Sequence, residues 1–598
     1  MRYSHGIAAL IVTVVSALYV GRTIDRGWVP HDEGALAQSA ERAMQGQLPH
    51  RDFDEIYTGG LTEVDGLAFR LLGVRLTVLR VVLFMAFVCW VPVLYSVAAR
   101  FAGPVGATLA TLVAVAWSVP NYSAALPSWY NLFFAVFALA AVLRYVDTGR
   151  RRWLVACGLA AGISVAIKIV GVYLLGGIAL ALVWHEQTVS SVPSGTGGRG
   201  YGATLSLALA ALVVVLAALV RRTPSVAVFV HFVAPTAVLV AVLLIREWRT
   251  PHSPSSVRAR RAFERVLPLA VGFAIPVAVL LAPYVACGAV HDVVRGVLIT
   301  PMRRLVSAVM PMPVVRRAWP ALVFVAIVAA VAFVPRRGRW AVAASLAATL
   351  VVAMWLQPDA TYDTVWQAAR VAVPLAVLCG AVLAFRERLG ETLFAVLAVA
   401  ALSSLVQYPF SAPIYFCYVA PLAVLAVLGL ATDAGRRLVA ATIGAFSLVF
   451  AVIWMNGQTL DALGHFPGPA PSVVPLGLAR GGLLVPVDDA ALYQRLIPIV
   501  ESHAGGGGRY VYAAPDCPQV AFLADARNPT RALFDFLDDS ARQTAVVLRA
   551  LDAHDVRVVV VNDDPEFSGP IDSTLAAALR TRYPEADTVG QFTVRWRT

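Results

Sequence analysis

Runs of about twenty apolar residues, the length that carries a helix across a bilayer, follow one another along most of this chain. Segments near 6–21, 76–98, 105–119, 129–143, 203–220, 225–245, 267–286, 320–334, 341–356, 371–385, 391–406, 413–431 and 438–455 approach or reach that length. The run 153–184 is too long for one crossing and is interrupted at Lys168 and Gly171, so it reads as two helices. A helix that is apolar all round needs either a very large core or lipid, and 59% hydrophobic content favours lipid. The expectation is an α-helical polytopic membrane protein with about 13–15 transmembrane helices. Residues 18–27 lack a small-x-small site followed by a polar segment, so the first run is expected to remain as a span.

Charge then sets the orientation. Arg144 with Arg150–Arg152, the set Arg246, Arg249, Arg258, Arg260, Arg261 and Arg265, then Arg336, Arg337 and Arg339, Arg386 and Arg388, and Arg436 and Arg437 fall on one side when helices are counted. Positive residues mark the cytoplasm, so the first loop, about 22–75, and everything after 456 face outward. The net charge of +12 is accounted for by this topology. No aromatic-interleaved basic groove accompanies it, which argues against nucleic acid as a partner.

Residues 1–455 form the membrane domain. From 456 to 598 the apolar runs give way to short elements: a strand at 509–514, helices near 517–524, 541–553 and 571–582, a strand at 556–561 and a final strand at 588–596. Strands alternating with helices predict a small C-terminal α/β extracytoplasmic domain. Of six cysteines only Cys517 lies there, so the domain holds together by packing rather than disulfides. The Gly505–Gly508 run precedes a strand, whereas a phosphate cradle follows one. The histidines are isolated and show no zinc spacing.

The acids are unevenly placed. Residues 25–65 hold nine of the chain's 36 carboxylates, in a chain only 14% charged. After Pro30, the stretch His31-Asp32-Glu33 opens an apparent helix running to Met44, and the ordinary role for Asp32 there is an N-cap. Adjacent helical residues diverge by about 100°, so Asp32 and Glu33 cannot converge as a glycosidase acid pair. One carboxylate does suffice when a sugar leaves a phosphate. The leaving group needs cations rather than a proton, and the carboxylate takes the proton of the acceptor hydroxyl. Three cation sources break the charge pattern. Lys168 is the chain's single lysine and sits in an apolar run at an outward turn. Arg80 starts the second span, and the outward loop 287–319 carries Arg295, Arg303, Arg304, Arg316 and Arg317. A basic outer loop beside the bilayer suits an anionic lipid head group.

The Asp-Glu pair after the first span, then Gly46-Gln47-Leu48-Pro49-His50-Arg51-Asp52-Phe53, Phe69-Arg70-Leu71-Leu72-Gly73 and Arg80, resemble the GT-C superfamily of polyprenyl-phosphate-sugar-dependent glycosyltransferases. Relatives in that superfamily include protein O-mannosyltransferases and the aminoarabinose transferases that modify lipid A. Leu126-Pro127-Ser128-Trp129-Tyr130-Asn131-Leu132, and Lys168 near Gly171, also look like its bacterial members. The resemblance spans mainly residues 25–180 and implies a GT-C-like fold with Asp32 as catalytic base and Glu33 as the adjoining acid. Many relatives carry Lys-Pro-Pro after this region, with the lysine near the lipid phosphate. Here the region reads Tyr57-Thr58-Gly59-Gly60, which moves the phosphate contact to Lys168 and Arg80.

The functional expectation is therefore an inverting transferase of the cytoplasmic membrane, acting on its outer face. It would move a sugar from a polyprenyl-phosphate donor to a hydroxyl of a glycan, lipid or protein. Asp32 and Glu33 are the catalytic candidates. Asp52 and Asp54 are candidates for positioning the acceptor, and Arg80, Lys168, Arg303 and Arg304 for holding the phosphate. No cofactor or metal is required, although Asp52 and Asp54 share a side if extended and would then suit a divalent ion. Two other classes compete. A flippase for lipid-linked sugars predicts two related halves, and no such repeat is seen. A non-catalytic scaffold predicts first-loop acids that tolerate substitution.

Overall fold

The computed structural model describes residues 2–191, 199–302, 310–312, 319–431, 434–455, 472–505, 509–533, 540–566 and 568–597. Among them, nine helices are long and apolar enough to cross a membrane, or ten if the bent pair Pro358–Arg370 and Ala372–Phe385 counts as one span. Four further apolar helices are shorter, Arg152–Ile167, Trp319–Ala330, Glu391–Gln407 and Ala420–Leu430. The sequence count of 13–15 treated every apolar run as a full span. The structure shortens several, because prolines and polar breaks end them early: the run 413–431 is split into Pro413–Cys417 and Ala420–Leu430.

The first eight helices position the site. They are α1 (Arg2–Gly21), α2 (Pro30–Met44), α3 (Gly60–Leu72), α4 (Leu76–Ala98), α5 (Pro104–Ala116), α6 (Pro127–Thr148), α7 (Arg152–Ile167) and α8 (Val172–Ser190). Helices α2 and α3 lie in the first loop and pack on each other. The break between α7 and α8 falls where the sequence placed it. Lys168 is extended (φ −152°, ψ 131°) and ends α7. A short turn, Ile169–Gly171, then leads into α8. Gly171 lies so close to Ser164 that a Cβ would meet its backbone carbonyl carbon at 2.5 Å, so the tight reversal needs glycine.

At the other end of the bundle the arginines gather as the charge pattern predicts. Arg151 pairs with Glu264, Arg100 with Asp147, and Arg258 is buried between Glu186 and Glu247. The site therefore sits at the end opposite the basic loops.

The C-terminal region contains β1 (Val473–Pro475) and β2 (Leu484–Pro486), an antiparallel pair, and a four-stranded sheet. The sheet strands are β3 (Val511–Ala514), β4 (Val558–Asn562), β5 (Glu585–Val589) and β6 (Phe592–Trp596), ordered β3-β4-β6-β5. β3 and β4 are parallel and the others antiparallel. One expectation changes: the final strand at 588–596 is a hairpin, because Gly590 takes φ +58° and turns the chain. None of the six cysteines is joined in a disulfide.

This domain is docked onto the first loop. Arg42 of α2 donates to the carbonyls of Asn528 and Thr530, both at 2.8 Å. Trp28 Nε1 donates to Asp489 at 2.8 Å, and Arg480 bridges Glu41 and Asp525. A Cβ on Gly34 would lie 2.3 Å from the Gln519 backbone nitrogen, so α2 and helix Pro518–Leu523 touch backbone to backbone. The domain thus braces the loop that carries Asp32.

Candidate functional site

Pro30 starts α2 at its first position, which suits its fixed φ and missing N–H. The cap position is Val29, not Asp32. Asp32 lies in the first turn instead, and its side chain is 30% exposed. The Tyr122 hydroxyl donates to Asp32 Oδ2 at 2.6 Å, and His31 Nε2 lies 3.8 Å from Oδ1. Tyr122 itself is buried, in the turn between α5 and α6. One carboxylate oxygen is thereby held from behind while the residue still reaches solvent.

Glu33 points elsewhere, as the 100° step between neighbours requires. It is 1% exposed, accepts from the Val29 backbone N–H at 2.9 Å, and forms a bidentate pair with Arg80 at 2.7 and 2.9 Å. Arg80 spends its remaining N–H groups on the carbonyls of Ile24, Arg26 and Gly27. A guanidinium has five N–H donors, and all five are engaged. This corrects two expectations. Arg80 has no donor left for a phosphate, and Glu33 is a buried partner of Arg80 rather than an open acid. Both hold the entry to α2.

Asp52 and Asp54 do not converge either. Asp52 pairs with its neighbour Arg51 at 2.7 Å and accepts from the Leu48 N–H, and the Arg51 hydrogen bond holds its carboxyl below the usual carboxylate range. Asp54 is exposed and meets Arg531 of the C-terminal domain at 3.3 Å. Among the described residues no group of three or more His, Cys, Asp or Glu side chains comes together as metal ligands. The aspartates are taken up by arginines, one closing the loop and the other docking the domain. Arg303 and Arg304 lie outside the described residues.

Lys168 is half-buried beside the first loop. Its Nζ donates to Ser128 Oγ at 2.8 Å and stands 5.4 Å from the Tyr57 ring centre and 5.7 Å from that of Tyr415. Such cation–π contacts hold an ammonium at a polar–apolar boundary. Glu55 places Tyr57 by accepting from the N–H groups of Ile56 and Tyr57. Tyr415 packs edge-on to Tyr418 at 5.5 Å, and Tyr418 packs on Trp129 at 4.5 Å. The Trp129 indole N–H in turn donates to the backbone carbonyl of Tyr122 at 3.1 Å. Aromatic contacts running through Tyr122, Trp129, Tyr418 and Tyr415 thus link the carboxylate of Asp32 to the ammonium of Lys168.

The sequence reading singled out Asp32 and Lys168 but missed the tyrosines between them. Tyr57, Tyr122 and the neighbours Tyr415 and Tyr418 come from three separated segments, so no local spacing joins the three. A signal was present in the Tyr408–Tyr418 segment, where three tyrosines and two prolines interrupt an apolar region.

No family model matches this chain, and no curated protein matches it. Among solved structures it is similar to ArnT from Cupriavidus metallidurans bound to undecaprenyl phosphate. That match has 15% identity, covers 99% of this chain and 97% of that one, and has a TM-score of 0.35. It is also similar to the archaeal oligosaccharyltransferase AglB from Archaeoglobus fulgidus in complex with an inhibitory peptide and a dolichol-phosphate. Here the identity is 13%, covering 92% of this chain and 69% of that one, with a TM-score of 0.45. Both likenesses are distant.

Proposed function

We propose that this protein is an inverting membrane glycosyltransferase that moves a sugar from a polyprenyl-phosphate donor to a hydroxyl acceptor. The observation that carries this reading is the linking of one accessible carboxylate, Asp32, to one half-buried ammonium, Lys168, through these aromatic contacts. Among the described residues, the neighbouring carboxylate Glu33 is closed by Arg80 and leaves Asp32 as the open acid of this turn. That fits a reaction in which the leaving group needs no proton.

In this mechanism the acceptor oxygen attacks the anomeric carbon on the face opposite the phosphate. The bond from that carbon to the phosphate oxygen breaks, and its electron pair leaves with the polyprenyl phosphate. Asp32 takes the acceptor's proton. Lys168 stabilises the charge that grows on the phosphate, while Tyr122 keeps the Asp32 carboxylate turned towards the acceptor. Glu33 and Arg80 act as positioning residues by fixing the start of α2. The gathering of arginines at the opposite end of the bundle supports, by the positive-inside rule, an outer-face site.

The direct test incubates the purified protein with a panel of polyprenyl-phosphate sugars and measures release of the carrier. Release that disappears in Asp32→Asn supports the reading. No release from any donor, with the protein folded, sinks it.

A further inference from the structure

A small pocket behind Lys168 has a chemistry that the mechanism above leaves unused. It opens among α6, α7, α8, helix Glu391–Ser403 and Tyr418, and its polar lining is Ser128, Asn131, Ser164, Ser403 and Tyr418. Two polar atoms in it, Asn131 Oδ1 and the Tyr418 hydroxyl, are buried and have no hydrogen-bond partner. Tyr418 is only 2% exposed. Asn131 commits its Nδ2 to the Ser164 carbonyl at 2.9 Å and the Ser164 hydroxyl at 2.7 Å, so its oxygen is left as a fixed acceptor. Buried groups of this kind are costly to leave unpaired, and their presence in a pocket points to a ligand group.

The lining restricts what that group is. It contains no Asp, Glu, Lys or Arg. An ammonium would enter without a counter-charge and with Lys168 bonded to Ser128 at the pocket's edge. A carboxylate would face the lone pairs of Asn131 Oδ1. A neutral hydroxyl satisfies both orphans, donating to Asn131 and accepting from Tyr418. The space suits a group of about one water's size, which is an exocyclic arm and not a sugar ring.

We infer that this pocket receives the exocyclic hydroxymethyl group of the donor sugar and thereby selects neutral sugars that carry one. The inference rests on the assignment of Asp32 and Lys168 made above, and Lys168 adjoins the pocket through its bond to the lining residue Ser128.

The probes are polyprenyl-phosphate mannose, glucose, galactose and arabinofuranose. Each is compared with a counterpart lacking the exocyclic hydroxyl and one bearing an amine in its place. The wild type should turn over its preferred donor at least about tenfold faster, as kcat/KM, than either counterpart. Tyr418→Phe should lose about tenfold on the hydroxylated donor and nothing on the deoxy donor. Asn131→Asp should shift preference towards the amine, a gain that a merely destabilised variant would not show. If wild type and Tyr418→Phe treat hydroxylated and deoxy donors alike, the pocket holds only water and the inference falls. Carrier release from none of these donors would instead overturn the underlying assignment of the site.

Discussion

The carboxylate of Glu33 and the guanidinium of Arg80, 47 residues apart, form a bidentate pair with each side chain only 1% exposed. The pair also gathers the Val29 N–H and three backbone carbonyls from the turn before α2. Breaking a buried pair leaves one uncompensated charge, which costs about 3–5 kcal/mol. Glu33→Gln and Arg80→Met are each expected to lower unfolding stability by about that amount, with a strongly non-additive double variant. Thermal unfolding in detergent measures it. An Arg80→Met protein with native stability but weakened donor binding would restore Arg80 as a phosphate ligand.

Asp32 should behave in the opposite way. It is partly exposed and carries no such network, so Asp32→Asn is expected to keep native stability and insertion. Its transfer rate should fall by about a hundredfold or more, the usual contribution of a general base. Tyr122→Phe removes the one hydroxyl that holds Asp32 Oδ2 and should lower kcat by about tenfold. Wild-type rates in Asp32→Asn would remove it as the base.

Lys168 is predicted to act on the donor rather than the acceptor. Lys168→Ala should raise the KM for the lipid-linked sugar and lower kcat, while the acceptor KM stays unchanged. Lys168→Arg should recover part of the loss, since the charge remains but the contact with Ser128 and the two tyrosine rings changes. Steady-state kinetics with each substrate varied in turn separates these effects. Equal damage to both KM values would point to a structural role.

Asp65 in α3 predicts a pH dependence of stability. It is buried, its Oδ1 has no hydrogen-bond partner, and burial followed by repulsion from Glu55 raises its carboxyl well above the usual value of 3.8. The folded protein therefore holds this proton more tightly than the unfolded chain does. Its contribution is fully present below pH 3.8 and is lost as the pH rises towards the folded value. Asp65→Asn should raise the melting temperature at pH 7, with the gain shrinking towards pH 4. A gain independent of pH would rule out this titration as its source.

Gly34 tests the docking of the C-terminal domain. A methyl group there would press on the Gln519 backbone at 2.3 Å, and neither backbone can yield cheaply. Gly34→Ala should loosen the domain from α2, read as faster limited proteolysis after residue 472, and should also reduce transfer. Unchanged proteolysis would show that the contact is not needed for docking.

The sequence by itself determined the features that depend on local length and period. Apolar length marked the spans, and the polar break at Lys168 and Gly171 separated α7 from α8 at the right place. Alternating apolar strands between helices disclosed the C-terminal sheet, and the acidic start after Pro30 located α2. What only the tertiary structure decided is which charges are spent. Arg80, read as a phosphate ligand, is consumed by Glu33 and three carbonyls. Asp52 and Asp54 are taken by Arg51 and Arg531. The aromatic contacts between Asp32 and Lys168 draw Tyr57, Tyr122 and the neighbours Tyr415 and Tyr418 from three distant segments, and no period spans them. Whether a charged group is left for chemistry depends on partners that packing brings from tens or hundreds of residues away. Such pairing is a property of the folded bundle, and no local pattern in the chain encodes it.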